Sequence, residues 1–425
     1  MKEDYLHYVW QKRKLITHTL FTTEGLPIEV LDRGTHNFDA GPDFLNAKVR
    51  IGDQLWFGSI EIHIRSSDWN NHKHQEDARY NNVILHVVYD DNKQVLKENG
   101  HQIPTLEIQH LIDHNAYFYY EQFQLSKGKL ACADQIRDVN QNLFFELFHE
   151  KLLERWNAKM TIINDSLNFH INDWELVIIE LIARYLGTKI NAEFMVSLIR
   201  RLPAKLFKGS TTDLGTIEAI LLGVAGMLKS DFVDDYEVSL KSEYLFQKQK
   251  CNLKEMSGME WKYSRMRPHN FPDVRIAQLA TMIISTRNMF QIVKDKLSRS
   301  EIELIFDIEA SSYWSNHYRI GKVTKTKTSK IGSAMVQSII INVIAPLSFA
   351  YGNSIKDDSY GEYALKLLNE IPSEQNKYAE IWKEHGVNLK NASQSQGSLH
   401  QYVNYCSKKK CLECKIGLFL LRNKE

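Results

Sequence analysis

Residues 41–51 read GPDFLNAKVRI and residues 55–63 read LWFGSIEIH, and these two stretches decide the fold of the N-terminal part of the chain. In both, apolar and polar side chains alternate, as in a strand that buries one face. Gly52-Asp53-Gln54 lies between them, and a three-residue loop containing glycine is a common hairpin connection. We therefore predict an antiparallel hairpin of strands 43–51 and 55–63.

The register of this hairpin brings three titratable side chains together. With the loop at Gly52-Asp53-Gln54, Asp43 faces His63, and Glu61 shares the face of His63. Two carboxylates at this spacing suit Mg²⁺ (or Mn²⁺), which would stabilise a phosphoryl oxygen and activate a bound water. His63 would orient or deprotonate that water. The alternative is a polar strand face that is only solvated.

Strand and helix patterns continue around the hairpin. Ile28 and Val30 alternate with polar neighbours, and the nearly continuous apolar run Val83–Tyr89 is typical of a strand covered on both faces. Pro104–Gln109 has the pattern of a further edge strand. A helix is predicted at about Asp4–Thr19, and the polar segment His72–Asn81 is compatible with another. The order is helix, three strands, helix, strand.

Pro42-Asp43 followed by Glu61-Ile62-His63 resembles the motif of the PD-(D/E)XK nuclease superfamily, whose core has the same αβββαβ order. The resemblance covers about residues 1–110 and implies that Asp43 and Glu61 bind a metal ion in a phosphodiesterase. His63 stands where that family has a lysine. The resemblance also implies an acid near the first helix, for which Glu24 is the nearest candidate. It places Asp77 and Tyr80 where related nucleases contact substrate.

The whole chain also resembles an uncharacterised bacterial family defined as a domain of unknown function. The likeness is carried by the stretches GPDFLNAKV, GSIEIHIRSSDWNNHKH, YNNVILHVVYD, RMRPHNFPDVRIAQLA and YCSKKKCLEC. This resemblance implies no activity.

Histidines close to the hairpin offer a different metal site. His63, His72 and His74, with Asp77 as a further ligand, would bind Zn, Fe or Ni, because imidazole favours these metals over Mg. The alternative is that His72 and His74 lie on an exposed turn and helix, and that His86 is packed in the core. His74 and Tyr80 are also candidate substrate-contacting side chains.

From about residue 140 the periodicity becomes helical, so we predict an α+β protein. A restriction-endonuclease-like domain, residues 1–135, is followed by a helical region, residues 136–425, of one domain or two. Asn172 with Glu175, and Ser298 with Glu301, have capping-box spacing. Lys229–Met266 has the weakest pattern. The predicted helices are Trp174–Leu186, Thr216–Leu228, Val274–Val293, Ala334–Phe349, Tyr360–Asn369 and Tyr378–His385.

The most apolar stretch is Ala334–Ala350, which is shorter than the roughly 20 residues that span a bilayer. Gln337, Asn342 and Pro346 interrupt it, so we expect a buried core helix and no membrane partner. The N-terminal residues carry acids and bases where a secretion signal needs an apolar stretch. We expect a soluble protein of the cytoplasm.

Three cysteines cluster near the C-terminus. Cys406, Cys411 and Cys414 are separated by four and then two residues, with lysines at 408–410. Thiolates this close favour a tetrahedral Zn²⁺ site or an iron–sulfur cluster, with His400, Cys251 or Cys132 as the fourth ligand. The alternative is that they are ordinary thiols of a C-terminal helix.

The nearly balanced charge of the chain limits the ways in which it can bind a partner. Lys and Arg number 53 against 52 Asp and Glu, so any contact with nucleic acid needs a local patch. Arg265 and Arg267 in the loop SRMRPHNFP form one basic segment. A second follows Tyr313, Trp314 and Tyr318 and contains Arg319, Lys322, Lys325, Lys327 and Lys330.

The chain has no Gly-rich loop ending in Gly-Lys-Ser/Thr and no dinucleotide fingerprint, which argues against ATP and NAD chemistry. We therefore predict a metal-dependent phosphodiesterase (nuclease) acting on nucleic acid, with DNA favoured over RNA. The rival prediction is a catalytically inactive nuclease-like fold that acts as a nucleic-acid-binding or scaffold protein.

Overall fold

The computed structural model describes residues 1–17, 19–208, 213–256, 261–325 and 329–422. The described residues form two compact units. The first contains Met1–Phe144 and the described residues from Tyr402 onward, and the second contains Phe145–Gln401. We predicted a division into 1–135 and 136–425. The structure instead extends the first unit to Phe144 and returns the C-terminal segment, with its cysteines, to that unit.

Within the described residues, the strands of the first unit form one seven-stranded sheet. They are β1 (Leu20–Phe21), β2 (Pro27–Asp32), β3 (Thr35–His36), β4 (Phe44–Ile51), β5 (Gln54–Arg65), β6 (Val83–Asp90) and β7 (Thr105–Glu107). The spatial order is β1-β2-β4-β5-β6-β7, and β3 pairs with β4. Strands β2, β4 and β5 are antiparallel neighbours, whereas β6 runs parallel to β5 and to β7. The second unit has a small antiparallel pair, β8 (His317–Arg319) and β9 (Lys322–Val323).

Helices account for most of the rest of the chain. Those in or entering the first unit are α1 (Glu3–Lys12), α2 (Asp68–Asn71), α3 (His114–Leu125) and, near the C-terminus, α18 (Lys415–Arg422). The others are α4 (Gln141–Phe169), α5 (Trp174–Leu186), α6 (Thr188–Arg200), α7 (Lys205–Lys208), α8 (Leu214–Val224), α9 (Asp235–Cys251), α10 (Pro272–Ser285), α11 (Gln291–Lys294), α12 (Arg299–Ile305), α13 (Ser333–Ile339), α14 (Ala345–Ile355), α15 (Ser359–Glu370), α16 (Lys377–Glu384) and α17 (Ala392–Asn404). This mixed α+β architecture, with an N-terminal sheet and a large helical region, is the predicted one.

The hairpin of β4 and β5 forms, but its predicted register is wrong in two places. Ile51 pairs with Gln54, so the turn has one residue fewer than expected. A bulge between Phe44 and Ala47, where Asn46 has a φ of 61°, shifts the pairing by one more residue and sets Phe44 opposite Ile60. Because a shift of two residues preserves the face of a strand, the same polar side chains still share one face.

Two predicted helices of the first unit are shorter than the patterns indicated. Helix α1 ends at Lys12, because Arg13 adopts a left-handed conformation. In place of a helix at His72–Asn81 there are two short 3-10 helices, His74–Glu76 and Ala78–Tyr80. Lys73, with a φ of 60°, separates them from α2. The connection from β5 to β6 is therefore compact.

The second unit confirms some helix signals and corrects others. Ser298 and Glu301 form the predicted capping box. At the start of α5 the cap is Asp173 rather than Asn172, and the Glu175 carboxylate accepts hydrogen bonds from Met289 and Phe290 instead. The predicted helix Val274–Val293 is interrupted after Ser285, where Asn288 has a positive φ. Helix α9 lies in the stretch that had the weakest pattern.

The apolar stretch around Ala334–Ala350 lies in the core of the second unit. Within the described residues, Ser333–Ile355 is the helical segment long and apolar enough to cross a membrane, but 61% of its most apolar window is buried. Its middle part, Ile340–Ile344, is a π-helix. The expectation of a buried core helix is confirmed.

Candidate metal centre

Strand β5 supplies the centre of the site. Ile60 and Ile62 face the core, so the alternating residues Glu61 and His63 lie on the opposite face of the sheet. In the parallel pairing with β6, Glu61 is opposite His86, which therefore shares that face. All three polar side chains are buried.

The segment after β5 returns two more histidines to this face. Nδ1 of His72 lies 3.2 Å from Nε2 of His63. Nε2 of His74 lies 3.2 Å from Oε1 of Glu61, and the same oxygen is 3.5 Å from Nε2 of His63. One ligand atom from each of His63, His72 and His74 can be chosen so that all lie within 4.8 Å of one another. Among the described residues, these three histidines are the group of potential metal ligands whose ligand atoms meet this distance.

Packing in the turn after α2 fixes the position of His74. Its ring stacks on Tyr80, with 3.8 Å between ring centroids, and lies edge-on to the buried Trp69. In the described part of the chain, the buried Nε2 of His74 has no partner in hydrogen-bond geometry, although Glu61 is close. Asp77, predicted as a further ligand, instead pairs with Arg79 and caps the following 3-10 helix. Glu61, rather than Asp77, is the carboxylate beside these histidines.

His86 orients the ring of His63. Its Nδ1 lies 2.8 Å from Nε2 of His86, so a hydrogen bond leaves Nε2 of His63 directed at Glu61 and His72. Burial, followed by the neighbouring histidines, lowers the pKa of His63 to about 2, and burial lowers the pKa of His86 to about 3. Both rings are neutral at pH 7, and neutral imidazole is the form that binds metals. His86 is fully buried, as one alternative expected, but it lies on the face of Glu61 and His63 and not on the face that Ile60 and Ile62 present to the core.

Two hydrogen bonds from main-chain N–H groups hold the carboxylates of Asp43 and Glu61 close together. The N–H of Asp43 donates to Oε2 of Glu61 (3.1 Å), and the N–H of Ile62 donates to Oδ2 of Asp43 (2.9 Å). Burial, followed by the charge of Asp43, raises the pKa of Glu61 well above its usual value. Thus Asp43, Glu61 and His63 converge as the sequence predicted, although Asp43 meets Glu61 rather than lying opposite His63.

Helix α1 contributes two side chains that sequence reasoning missed. Nε2 of His7 lies 3.3 Å from Oδ2 of Asp43. Burial, followed by the charge of Asp43, raises the pKa of Glu3, the second acid of this helix face. The spacing of four residues places Glu3 and His7 on one helix face, and this was the available signal. Glu24, the acid expected here, is exposed and accepts a hydrogen bond from Gln102.

Comparison with known proteins identifies a family for this chain. A profile described as a protein of unknown function (DUF2851) matches residues 3–377. The chain belongs to the DUF2851 family. No curated protein and no solved structure matches it.

The DUF2851 match includes every residue of the candidate metal centre and ends before the C-terminal cysteines. The stretch YCSKKKCLEC therefore lies outside the matched range, although it was one of those that carried the predicted likeness. The family assignment itself is confirmed.

The cysteines form a looser arrangement than the histidines. Within the described residues, Cys406, Cys411 and Cys414 provide no group of three ligand atoms within 4.8 Å. Cys132 is the predicted fourth ligand that the fold brings near Cys411 and Cys414. Burial, followed by these neighbouring thiols, raises the pKa of Cys132 to about 12. The predicted metal at the cysteines remains a prediction.

Basic segments outside the site are exposed or already paired. Arg265 and Arg267 are exposed in a loop of the second unit. Arg319 packs over the ring of Tyr263, and Lys330 pairs with Asp307 at 2.7 Å. Lys327 lies outside the described residues.

Proposed function

We propose that the N-terminal unit is a metal-dependent hydrolase that cleaves phosphodiester bonds of nucleic acid. Its metal is a transition-metal ion bound by His63, His72, His74 and Glu61. Asp43, which His7 pairs with beside this centre, accepts the proton of the attacking water. This assignment keeps the predicted reaction and replaces the predicted Mg²⁺ ligands with a histidine-rich set, because imidazole favours Zn, Fe or Ni over Mg.

The observation that carries the proposal is the spacing of the ligand atoms. Metal–nitrogen bonds of about 2.0–2.1 Å in a tetrahedral site place neighbouring ligand atoms about 3.3 Å apart. The distances along His72, His63, Glu61 and His74 are 3.2, 3.5 and 3.2 Å. Hydrogen-bonded pairs can have similar distances, but Nε2 of His74 is not aligned for such a bond with Glu61. A shared cation would explain both facts.

A metal ion here would polarise a phosphoryl oxygen and lower the pKa of a bound water. In hydrolysis the water oxygen forms a bond to phosphorus while the bond to the leaving oxygen breaks. The proton of the water needs an acceptor close to the metal. The His7–Asp43 pair, with 3.3 Å between Nε2 and Oδ2, lies next to Glu61 and can take it.

Two features support a phosphodiester as the substrate. Pro42-Asp43 precedes β4, Glu61-Ile62-His63 lies in β5, and β6 runs parallel to β5 after a helical connection. These are the positions that the motif occupies in the PD-(D/E)XK nucleases that the sequence resembles. In addition, a cavity of about 330 Å³ in the same unit is lined by His7, by Lys408–Lys410 and by the acids Asp4 and Glu413, of which Glu413 pairs with Lys410 at 2.9 Å. Lysines beside the site would attract a phosphate backbone.

The second candidate is a nuclease-like fold that binds nucleic acid without cleaving it. The observation that favours it is His63 itself, which replaces the lysine of the family motif and is buried among other histidines. A neutral imidazole cannot stabilise the transition-state charge as a lysine does. In that case the metal would hold the turn after β5 in place.

The test uses the full chain, stripped with a chelator and reloaded separately with Zn²⁺, Mn²⁺, Co²⁺, Fe²⁺ or Mg²⁺. Labelled single- and double-stranded DNA, RNA and bis(p-nitrophenyl) phosphate are the substrates. We expect cleavage with a transition metal, lost in Asp43→Asn and His74→Ala and retained in the exposed control His101→Ala. Nucleic-acid binding without cleavage under every metal would instead favour the second candidate. Cleavage that His74→Ala leaves intact would disprove the proposed ligand set.

A further inference from the structure

A cavity of about 490 Å³ lies within the second unit, formed by residues of α4, α5, α6 and the segment Ser333–Ile355. Its walls are mainly apolar and include Ile162, Ile163, Leu181, Ala192, Met335, Val343 and Pro346. Ligand sites of proteins are usually cavities of this size with apolar walls and a few polar groups. The polar groups of this cavity therefore indicate what it would bind.

Lys159 places a cation on the cavity wall. Its Nζ donates to the main-chain oxygen and to Oδ1 of Asn342, both at 3.1 Å. Asn342 lies in the π-helix Ile340–Ile344, and Pro346 lacks the N–H that would bond to the Asn342 carbonyl in an α-helix. Lys159 supplies that missing donor. π-Helical segments are frequent at functional sites.

The ammonium group of Lys159 has bonding capacity and charge left over. It carries three N–H donors, of which two are used by Asn342. Both acceptors are neutral, and within the described residues Lys159 forms no ion pair. Arg184, which also lines the cavity, is by contrast paired with Glu193 at 2.6 Å. Burial, followed by the charge of Arg155, lowers the pKa of Lys159 to about 7, and a carboxylate bound beside it would raise that pKa again and favour the charged form.

We propose that this cavity binds a small monocarboxylate with an apolar body, such as a medium-chain fatty acid. The carboxylate pairs with Lys159, and the hydrocarbon part packs against Ile163, Leu181 and Val343. Of the three cations that line the cavity, Arg184 is paired with Glu193 and Lys189 is exposed, so Lys159 is the one that would meet a carboxylate beside the apolar walls. Low polarity there strengthens such a pair. The apolar lining matches a hydrocarbon chain rather than a sugar or a nucleotide. This proposal is independent of the hydrolase function of the first unit.

The test is calorimetric titration of the full chain with decanoate, and with decanol as the uncharged analogue. We expect saturable binding of decanoate that weakens at least tenfold in Lys159→Met, while decanol binds wild type and Lys159→Met equally. The matched control is Lys241→Met, whose lysine pairs with Asp231 away from the cavity wall. It should bind decanoate as the wild type does.

A second variant guards against a folding defect in Lys159→Met. Ala192→Phe fills the cavity and keeps Lys159, so it should abolish binding of both decanoate and decanol. Circular dichroism and the melting temperature establish that each variant is folded. Absence of saturable decanoate binding to the wild type, or equal decanoate affinity in folded Lys159→Met, would overturn the proposal.

Discussion

Nε2 of His74 lies 3.2 Å from Oε1 of Glu61, although one residue belongs to the turn after α2 and the other to the middle of the sheet. The second carboxylate oxygen of Glu61 accepts the N–H of Asp43. Glu61 thus joins the histidines on one side to the His7–Asp43 pair on the other.

Zn²⁺ added to chelator-treated protein is expected to raise the melting temperature. A ligand that binds only the folded state at about 100 times its Kd adds about 2.7 kcal/mol of stability. The increase should disappear in His74→Ala and persist in His101→Ala, whose histidine is exposed in the same unit. Differential scanning calorimetry with and without metal measures it. An equal Zn²⁺ response in His74→Ala would contradict the site.

His86 is expected to tune metal affinity without binding the metal. Its Nε2 holds Nδ1 of His63 at 2.8 Å, and loss of such a partner typically weakens metal binding by about 10–100-fold. His86→Phe fills similar space but leaves the His63 ring without this hydrogen bond. Competition with a chromogenic chelator gives the affinity. Unchanged affinity in a folded His86→Phe protein would show that this hydrogen bond does not orient the ligand.

The bulge in β4 should depend on the residue at position 46. Asn46 has a φ of 61° and is exposed, so its substitution acts through the backbone rather than through packing. A β-branched residue in this conformation costs about 1–2 kcal/mol, so Asn46→Val should lower the free energy of unfolding by that amount. Asn46→Gly is the matched control and should be near wild type. Urea unfolding measures both, and equal loss in the two variants would contradict the strain argument.

Glu180 should make the second unit sensitive to acid. It is 1% exposed and accepts hydrogen bonds from Nε2 of His170 and Nε of Arg200, both at 2.8 Å. Although burial opposes the shift, these partners lower the pKa of Glu180 from 4.5 to about 2. Because the folded-state value is the lower one, the stabilisation is present above pH 4.5. It is lost as the pH falls towards 2.

The stabilisation that is lost at low pH is roughly 3 kcal/mol, because each pKa unit corresponds to about 1.4 kcal/mol. Glu180→Gln should therefore be less stable than wild type at pH 7, and its urea midpoint should fall less between pH 5 and pH 2. Glu193→Gln, at an exposed ion pair, serves as the control and should keep the wild-type slope. A Glu180→Gln profile parallel to the wild type would contradict the assigned pKa.

Local patterns predicted those elements whose signals are complete within one segment. The helix Trp174–Leu186 has the predicted bounds, and the capping box of Ser298 and Glu301 forms as its spacing indicated. The helix Asp235–Cys251 was missed because it is polar on most sides, so no apolar stripe marks it. Contacts between distant residues could not be predicted in this way. Cys132 lies near Cys411 and Cys414, and no local pattern links residues so far apart in the sequence.

The sequence by itself determined that Glu61 and His63 share one face of their strand, because side chains alternate with a period of two, and it predicted that Asp43 lies beside them. It also determined which histidines are close along the chain. Only the tertiary structure decided that the turn at Lys73 returns His72 and His74 to Glu61, and that α1 brings His7 to Asp43. Contacts of that kind depend on backbone conformations and packing between distant segments, which periodicity does not encode.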